Sequence, residues 1–215
     1  MTATGKTMRR RGRPANTSTE DTVAVMLVAA RKQFAAQGYA ATSNRTVANA
    51  AGLAHTAIYN HFGSKAQLFT AVFLDVQDRL IFELQRSAGR TPDEPAFPRA
   101  LLDAIEELRA ADPTYVEFLA SMYVEVRRHP ELRNVFQGEE PFPIVDVLRS
   151  LAASPGSGEG SGEGSGQAAG EDPTWFWITF ALGLAQLSAL ADTVTFATTV
   201  EMFRKQLVRV PGGDS

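Results

Sequence analysis

Apolar residues recur at three- and four-residue intervals along most of the chain, the spacing of one face of an α-helix. From about Ser18 to Gln37 the stripe is Val23, Leu27, Ala30 and Phe34, with Ser18 or Thr19 as cap. Glu20 and Asp21 fall in its first turn, Arg31 and Lys32 come late, and Gly38 is the stop, an arrangement that suits the helix dipole. A short helix follows from Thr42 or Ser43 to about Ala51, with Val47, Ala48 and Ala51 inward. Gly52 supplies positive φ for a sharp turn, and Leu53 drops into the small core. A third helix, about Ala54 to Phe62, puts Ile58 and Phe62 four apart on its buried side. Ser64-Lys65-Ala66-Gln67 fits a capping box and opens a fourth helix running to about Arg86. Its apolar positions, from Phe69 and Phe73 to Leu84, continue far enough to leave the first bundle and enter a second. Helices around 97–111, 113–129 and 141–153 follow, with Pro113 and Pro130 as boundaries. The fold class is all-α.

Two later segments break the amphipathic rule in opposite ways. Residues 154–170 are a Gly/Ser/Glu run without a large apolar side chain, which predicts a flexible surface linker. Residues 175–191 carry no charge, but the run is too short to span a bilayer, is bracketed by Asp172 and Asp192, and contains Gln186 and Ser188. A helix buried on all sides is the better account, and a partner chain is what covers its extra face. Ala181, Ala185 and Ala189 make a small-residue stripe on it, and the next helix, 192–208, offers Phe196, Val200 and Phe203. Two such helices per subunit predict a four-helix dimer interface, with no membrane partner.

The third helix leaves His55, Thr56, Ala57, Tyr59, Asn60 and His61 facing outward, a heavy load of hydrogen-bonding groups for so short an element. Helix, glycine turn and second helix together make a helix-turn-helix, the layout of a DNA reader. Charge points the same way. Residues 1–65 hold nine basic side chains against two acidic ones, leaving a deficit of ten on the rest of a chain whose net charge is −3. Residues 1–17 read as a disordered basic arm, in which Arg11 and Arg13 of Arg-Gly-Arg-Pro would lie in a narrow minor groove. Asn44 and Arg45 are phosphate candidates at the start of the second helix.

The segment from Thr42 to Leu68 resembles the signature of the tetracycline-repressor (TetR) family of bacterial transcription regulators. Thr42, Val47, Ala48, Ala51, Gly52, Leu53, Tyr59, His61, Phe62, Lys65 and Leu68 carry the resemblance, which extends over roughly 19–73. Ala54 departs from the usual Ser or Thr, and Thr56 stands where many members have Gly. The resemblance implies an N-terminal three-helix DNA-binding bundle (18–65) and a C-terminal helical effector-binding and dimerisation domain (66–215). It implies that His55, Thr56, Ala57 and Asn60 meet base edges while Tyr59, His61 and Lys65 hold phosphates. It also implies a homodimer on a palindromic double-stranded operator, and a small, largely apolar effector that releases it. Phe69, Phe73, Phe118, Met122, Trp177 and Phe180 are then the expected pocket residues, although aromatic stripes at helical spacing also serve as ordinary core. Glu117 and Glu125 would select a cationic group if either pointed inward.

Enzyme chemistry finds no foothold in the sequence. There is no Cys, only His55, His61 and His129 as histidines, no H-E-x-x-H, no phosphate-cradling Gly loop and no nucleophile elbow. No cofactor and no metal site is expected. The basic start lacks an apolar core, so a secretory signal is not expected and the cytoplasm is the expected compartment. Two alternatives stay open, a helical adaptor that binds protein alone and an activator of the same fold.

Overall fold

A computed structural model describes residues 19–88, 96–136, 144, 146, 147, 150 and 174–207. The elements among them are all helices: α1 (Thr19–Ala41), α2 (Asn44–Ala50), α3 (His55–Phe62), α4 (Lys65–Ala88), α5 (Ala96–Ala111), α6 (Thr114–Arg128), α7 (Pro130–Phe136), α8 (Thr174–Leu190) and α9 (Thr193–Leu207). Residues 144, 146, 147 and 150 are helical too, while the rest of the 141–153 expectation, the basic arm and the 154–170 linker lie outside the described residues.

The first three helices form a head. Met26, Ala30 and Phe34 of α1, Val47 and Ala48 of α2 and Ile58 of α3 belong to one buried cluster with Leu68 of α4. Helical geometry in α1 breaks at Gly38, with φ 75° and ψ 174°, so the expected stop is present although hydrogen bonding resumes for three more residues. That backbone region is open essentially to glycine alone. A Cβ there would also sit 2.6 Å from Glu125 Oε1. Gly38→Ala is therefore expected to cost about 1–3 kcal/mol from backbone strain, with the displaced Glu125 adding to it, as read by urea unfolding.

Head and body share one apolar core. The Phe69 ring stands 5.0 Å from Phe34 and 5.0 Å from Phe118, with Tyr39 at 5.5 Å, so α1, α4 and α6 meet in a continuous aromatic cluster. Phe69 and Phe118 are fully buried in this joint, where they pack head against body. Phe73 and Met122 are also buried, whereas Trp177 and Phe180 of α8 are half-buried beside Phe176 and reach Phe203 of α9.

A polar latch crosses the same joint. Arg31 of α1, only 2% exposed, donates from Nη2 to Asp112 (3.0 Å) and from Nε to Thr114 Oγ1 (3.0 Å) at the α5–α6 turn. Its Nη1 lies 3.5 Å from Asp75 of α4, and its guanidinium sits 3.5 Å over the Tyr115 ring. Further along the same helix pair, the His129 ring packs 4.8 Å from Tyr39, and Glu125 reaches His129 Nε2 at 3.2 Å. α6 is thus tied to α1 at both ends. Glu125 serves this joint, which removes it as an effector-selecting group.

Pro130 stands just past the end of α6, the expected boundary, and also opens α7, because proline fits the first helical turn, where its missing N–H costs nothing. In α8 and α9 the expected interface faces are partly reversed. Ala185, Phe196 and Val200 are buried within the subunit, with Arg109 of α5 lying 4.6 Å over the Phe196 ring, so they are not available to a partner. Ala181 is half-buried, and only Ala189 and Phe203 of the expected set are exposed. The outward face of α8 is instead Phe176, Thr179, Gly183, Gln186 and Leu190. No helix among the described residues is long and apolar enough to cross a membrane.

Candidate nucleic-acid interface

Local chemistry builds the helix-turn-helix from its ends. Ser43 Oγ accepts from the Thr46 amide at 3.1 Å while Thr46 Oγ1 accepts from the Ser43 amide at 3.1 Å, a reciprocal cap that fixes where α2 starts. Gly52 takes φ 68°, and the Leu53 amide donates back to the Ala48 carbonyl at 2.9 Å. The chain thereby reverses within three residues. Ala54 provides no side-chain cap for α3, as alanine must. Beyond α3, Gly63 at φ 73° ends the helix, and Ser64 Oγ accepts from the Gln67 amide at 3.1 Å to start α4. The reciprocal half of that expected capping box is replaced by a bond from the Ser64 amide to the Phe62 carbonyl.

Ile58 is the one fully buried residue of α3, with Ala57 and Phe62 half-buried against the head core. His55, Thr56, Tyr59, Asn60 and His61 are exposed, and Tyr59 keeps 60% of its surface. On α2, Arg45 and Asn49 are exposed one turn apart. His55 Nε2 lies 2.9 Å from Asn49 Oδ1, a tie between the two helices of the motif. These residues form one polar surface.

Three expected members are turned elsewhere. Asn44 is buried, because positions 44, 47 and 48 share the inward face of α2. Ala57 sits beside Ile58 on the packed side of α3 and presents little surface outward. Lys65 donates from Nζ to the Tyr39 carbonyl (2.8 Å) and the Thr42 carbonyl (3.0 Å), and its ammonium lies 4.1 Å from the Tyr39 ring centre. Burial lowers its pKa from the usual lysine value, with Glu131 and Glu125 opposing. The cation closes the carbonyl end of α1 instead of standing free for phosphate. Beside it, burial and then Glu131 push the Tyr39 phenol up to about 12.

Together with Arg31, Lys65 removes two of the nine basic residues that made the first third of the chain look uniformly cationic. Arg45 and Lys32 stay exposed, and Arg11 and Arg13 lie outside the described residues. Asn49 escaped the sequence reading, although its spacing four residues after Arg45 places both on one helical face.

Residues 26–72 match the family model for bacterial regulatory proteins of the tetR family. The HTH-type transcriptional activator FasR of Mycolicibacterium smegmatis is 32% identical over 79 residues, 37% of this chain. That match spans 36% of the relative's length, so it bears on a part of each protein. Among solved structures, the fatty acid degradation regulator FadR from Bacillus halodurans aligns with a TM-score of 0.64 at 16% identity, covering 93% of this chain and all of that one. Salmonella enterica GusR aligns at 0.61 and 21% identity, covering 90% and 98%. At such identities the likeness is one of fold.

Proposed function

We propose that this chain is a bacterial regulatory protein of the tetR family, as the match over residues 26–72 supports, that it binds a palindromic operator as a homodimer, and that it is a repressor released by a small, largely apolar effector. The observation that carries the DNA-binding part is α3 itself, a helix anchored by Ile58 whose other side is an unbroken set of hydrogen-bonding groups. Thr56 and Asn60, one turn apart, would meet base edges with His55, and Tyr59, His61 and Arg45 would hold phosphates on either side. One such helix reads only a few base pairs, so specificity requires two heads at a fixed separation.

The exposed face of α8 suits the dimer contact. Phe176, Gly183 and Leu190 fall at seven-residue intervals with Thr179 and Gln186 between them, the spacing of a helix-packing seam. Leu190 is 85% exposed, and Val194 and Met202 extend the apolar surface onto α9. For the effector, Gln77 of α4 supplies a polar anchor inside an apolar body. It is buried on the face shared with Phe73 and Leu80, accepts at Oε1 from the Ile144 amide at 3.2 Å, and has no partner for Nε2 among the described residues. A ligand oxygen there would satisfy it.

Selection from random duplexes by the purified protein should return an inverted repeat, and binding should weaken steeply with salt. Arg45→Ala is expected to reduce the log–log salt slope by about 1.8 for the dimer, about 0.9 for each subunit's lost phosphate contact, without changing base preference, whereas Thr56→Ala should change preference and leave the slope alone. Failure to bind any duplex at low ionic strength overturns the proposal. The opposite regulatory sign has one observation in its favour, that the M. smegmatis relative is a transcriptional activator by name. A reporter placed behind the selected site, with and without lipophilic compounds, separates the two.

A further inference from the structure

Resting on the reading that α3 enters a DNA groove, we propose that Asn49 is a specificity-determining residue: it holds His55 through Nε2 and so selects, at one position of each half-site, a base that offers an amino hydrogen. Asn49 Oδ1 is a carbonyl oxygen and only accepts, so the hydrogen of the 2.9 Å contact sits on His55 Nε2. In a neutral ring the other nitrogen, Nδ1, is then bare and is itself an acceptor.

Position makes this consequential. His55 is the first residue of α3, and the N-terminal residues of a recognition helix are those that meet base edges. Ala54 gives the start of the helix no side-chain cap, so the ring is steadied from across the Gly52 turn by α2 and not by its own helix. Asn49 lies on the exposed face of α2 one turn after Arg45, which leaves it between a phosphate-seeking side chain and the base-reading ring. In the major groove adenine N6 and cytosine N4 donate hydrogen, whereas guanine N7 and O6 and thymine O4 accept. A bare Nδ1 is matched to the first pair and repelled by the second.

Five proteins, each carrying all 215 residues, test the proposal by duplex selection at a pH of about 8, above the range in which histidine ordinarily charges. The native chain is expected to show one half-site position restricted to adenine or cytosine by about tenfold. Asn49→Ala frees the ring to take either tautomer, so that position should fall to near parity among bases while the remaining positions, the salt slope and the helix content stay as they were. Asn49→Asp sets a carboxylate against the ring, favours the doubly protonated form, and should turn the same position toward guanine. His55→Ala should relax that position too, and adding Asn49→Ala to it should change nothing more. A native chain that selects a site, with Asn49→Ala selecting the identical one, overturns the inference, as does relaxation at a position that His55→Ala leaves intact. A native chain that selects no duplex overturns the DNA-reading role of α3 first, and the role of Asn49 with it.

Discussion

Arg31→Ala is expected to destabilise the protein by about 2–4 kcal/mol. Arg31 is buried, and its partners come from three different parts of the chain, Asp75 on α4, Asp112 before α6 and Thr114 within it. Removing it opens a void under Tyr115, whose ring it covers, takes the Arg31 cation from Asp75, and leaves Asp112 only the Lys32 ammonium at 3.9 Å. Full breakage of a buried pair costs about 3–5 kcal/mol, and the estimate is lowered here because Asp112 and Asp75 keep 23% and 37% of their side-chain surface. Arg31→Lys should recover less than half, since an ammonium cannot make the forked contact or stack on the ring. Urea midpoints for the two variants decide the matter, and a loss below about 0.5 kcal/mol for Arg31→Ala, no more than an ordinary surface substitution, would mean the latch carries no weight.

The same latch gives the variant a pH signature. Burial pushes the Asp112 carboxyl upward, but hydrogen bonds from Thr114 and Arg31 and the guanidinium charge outweigh it and hold the group below 3.8. Stability from such a depressed carboxyl is complete above 3.8 and is lost as pH falls through its lower folded value. Asp75 runs the other way, since burial raises it despite Arg31, so it takes up its proton while the pH is still above 3.8. Both couplings to Arg31 disappear once the acids are neutral. The deficit of Arg31→Ala relative to the native chain should therefore begin to narrow above pH 3.8 and continue to narrow below it.

Arg31 also marks the limit of what the sequence discloses. Its spacing from Leu27 and Phe34 places it on the inward face of α1, yet charge alone gave it to the DNA side, because a sequence states the sign of a side chain and not its direction. Lys65, given to phosphate by the resemblance, donates from Nζ to the Tyr39 and Thr42 carbonyls, contacts that no sequence states. Helix starts and stops were readable wherever one residue type solves one local problem, as at Ser43, Gly38 and Gly52. Pro130 solves two, serving after one helix and at the start of the next, and α7 went unseen. The exposed polar residues of α3 were legible because Ile58 and Phe62 fix the phase of the helix. α8 has no such phase. Its apolar residues run all the way round, so the alanine stripe was as good a guess as any, and only packing against the body reveals that Leu184, Ala185 and Ser188 face inward.

That revised phase leads to the second large effect. Gly183→Arg is expected to leave the subunit folded while abolishing the dimer and weakening operator binding by about 10²–10⁴-fold. Gly183 is exposed at the middle of α8, with Phe176 and Leu190 one heptad to either side, and a Cβ built on it meets nothing within 4 Å. Within one subunit the arginine has open space, and replacing a mid-helix glycine favours the helix by up to about 1 kcal/mol. Between two subunits the same side chain occupies the place where the backbones would come closest, and a two-fold axis would bring its copy to meet it. Each head then binds its half-site alone, without the effective concentration that a joined pair supplies. Sedimentation gives the mass, a thermal melt gives the subunit's stability, and titration of the selected duplex gives the affinity. Unchanged mass and unchanged affinity in a stably folded Gly183→Arg protein would move the dimer contact away from this face of α8.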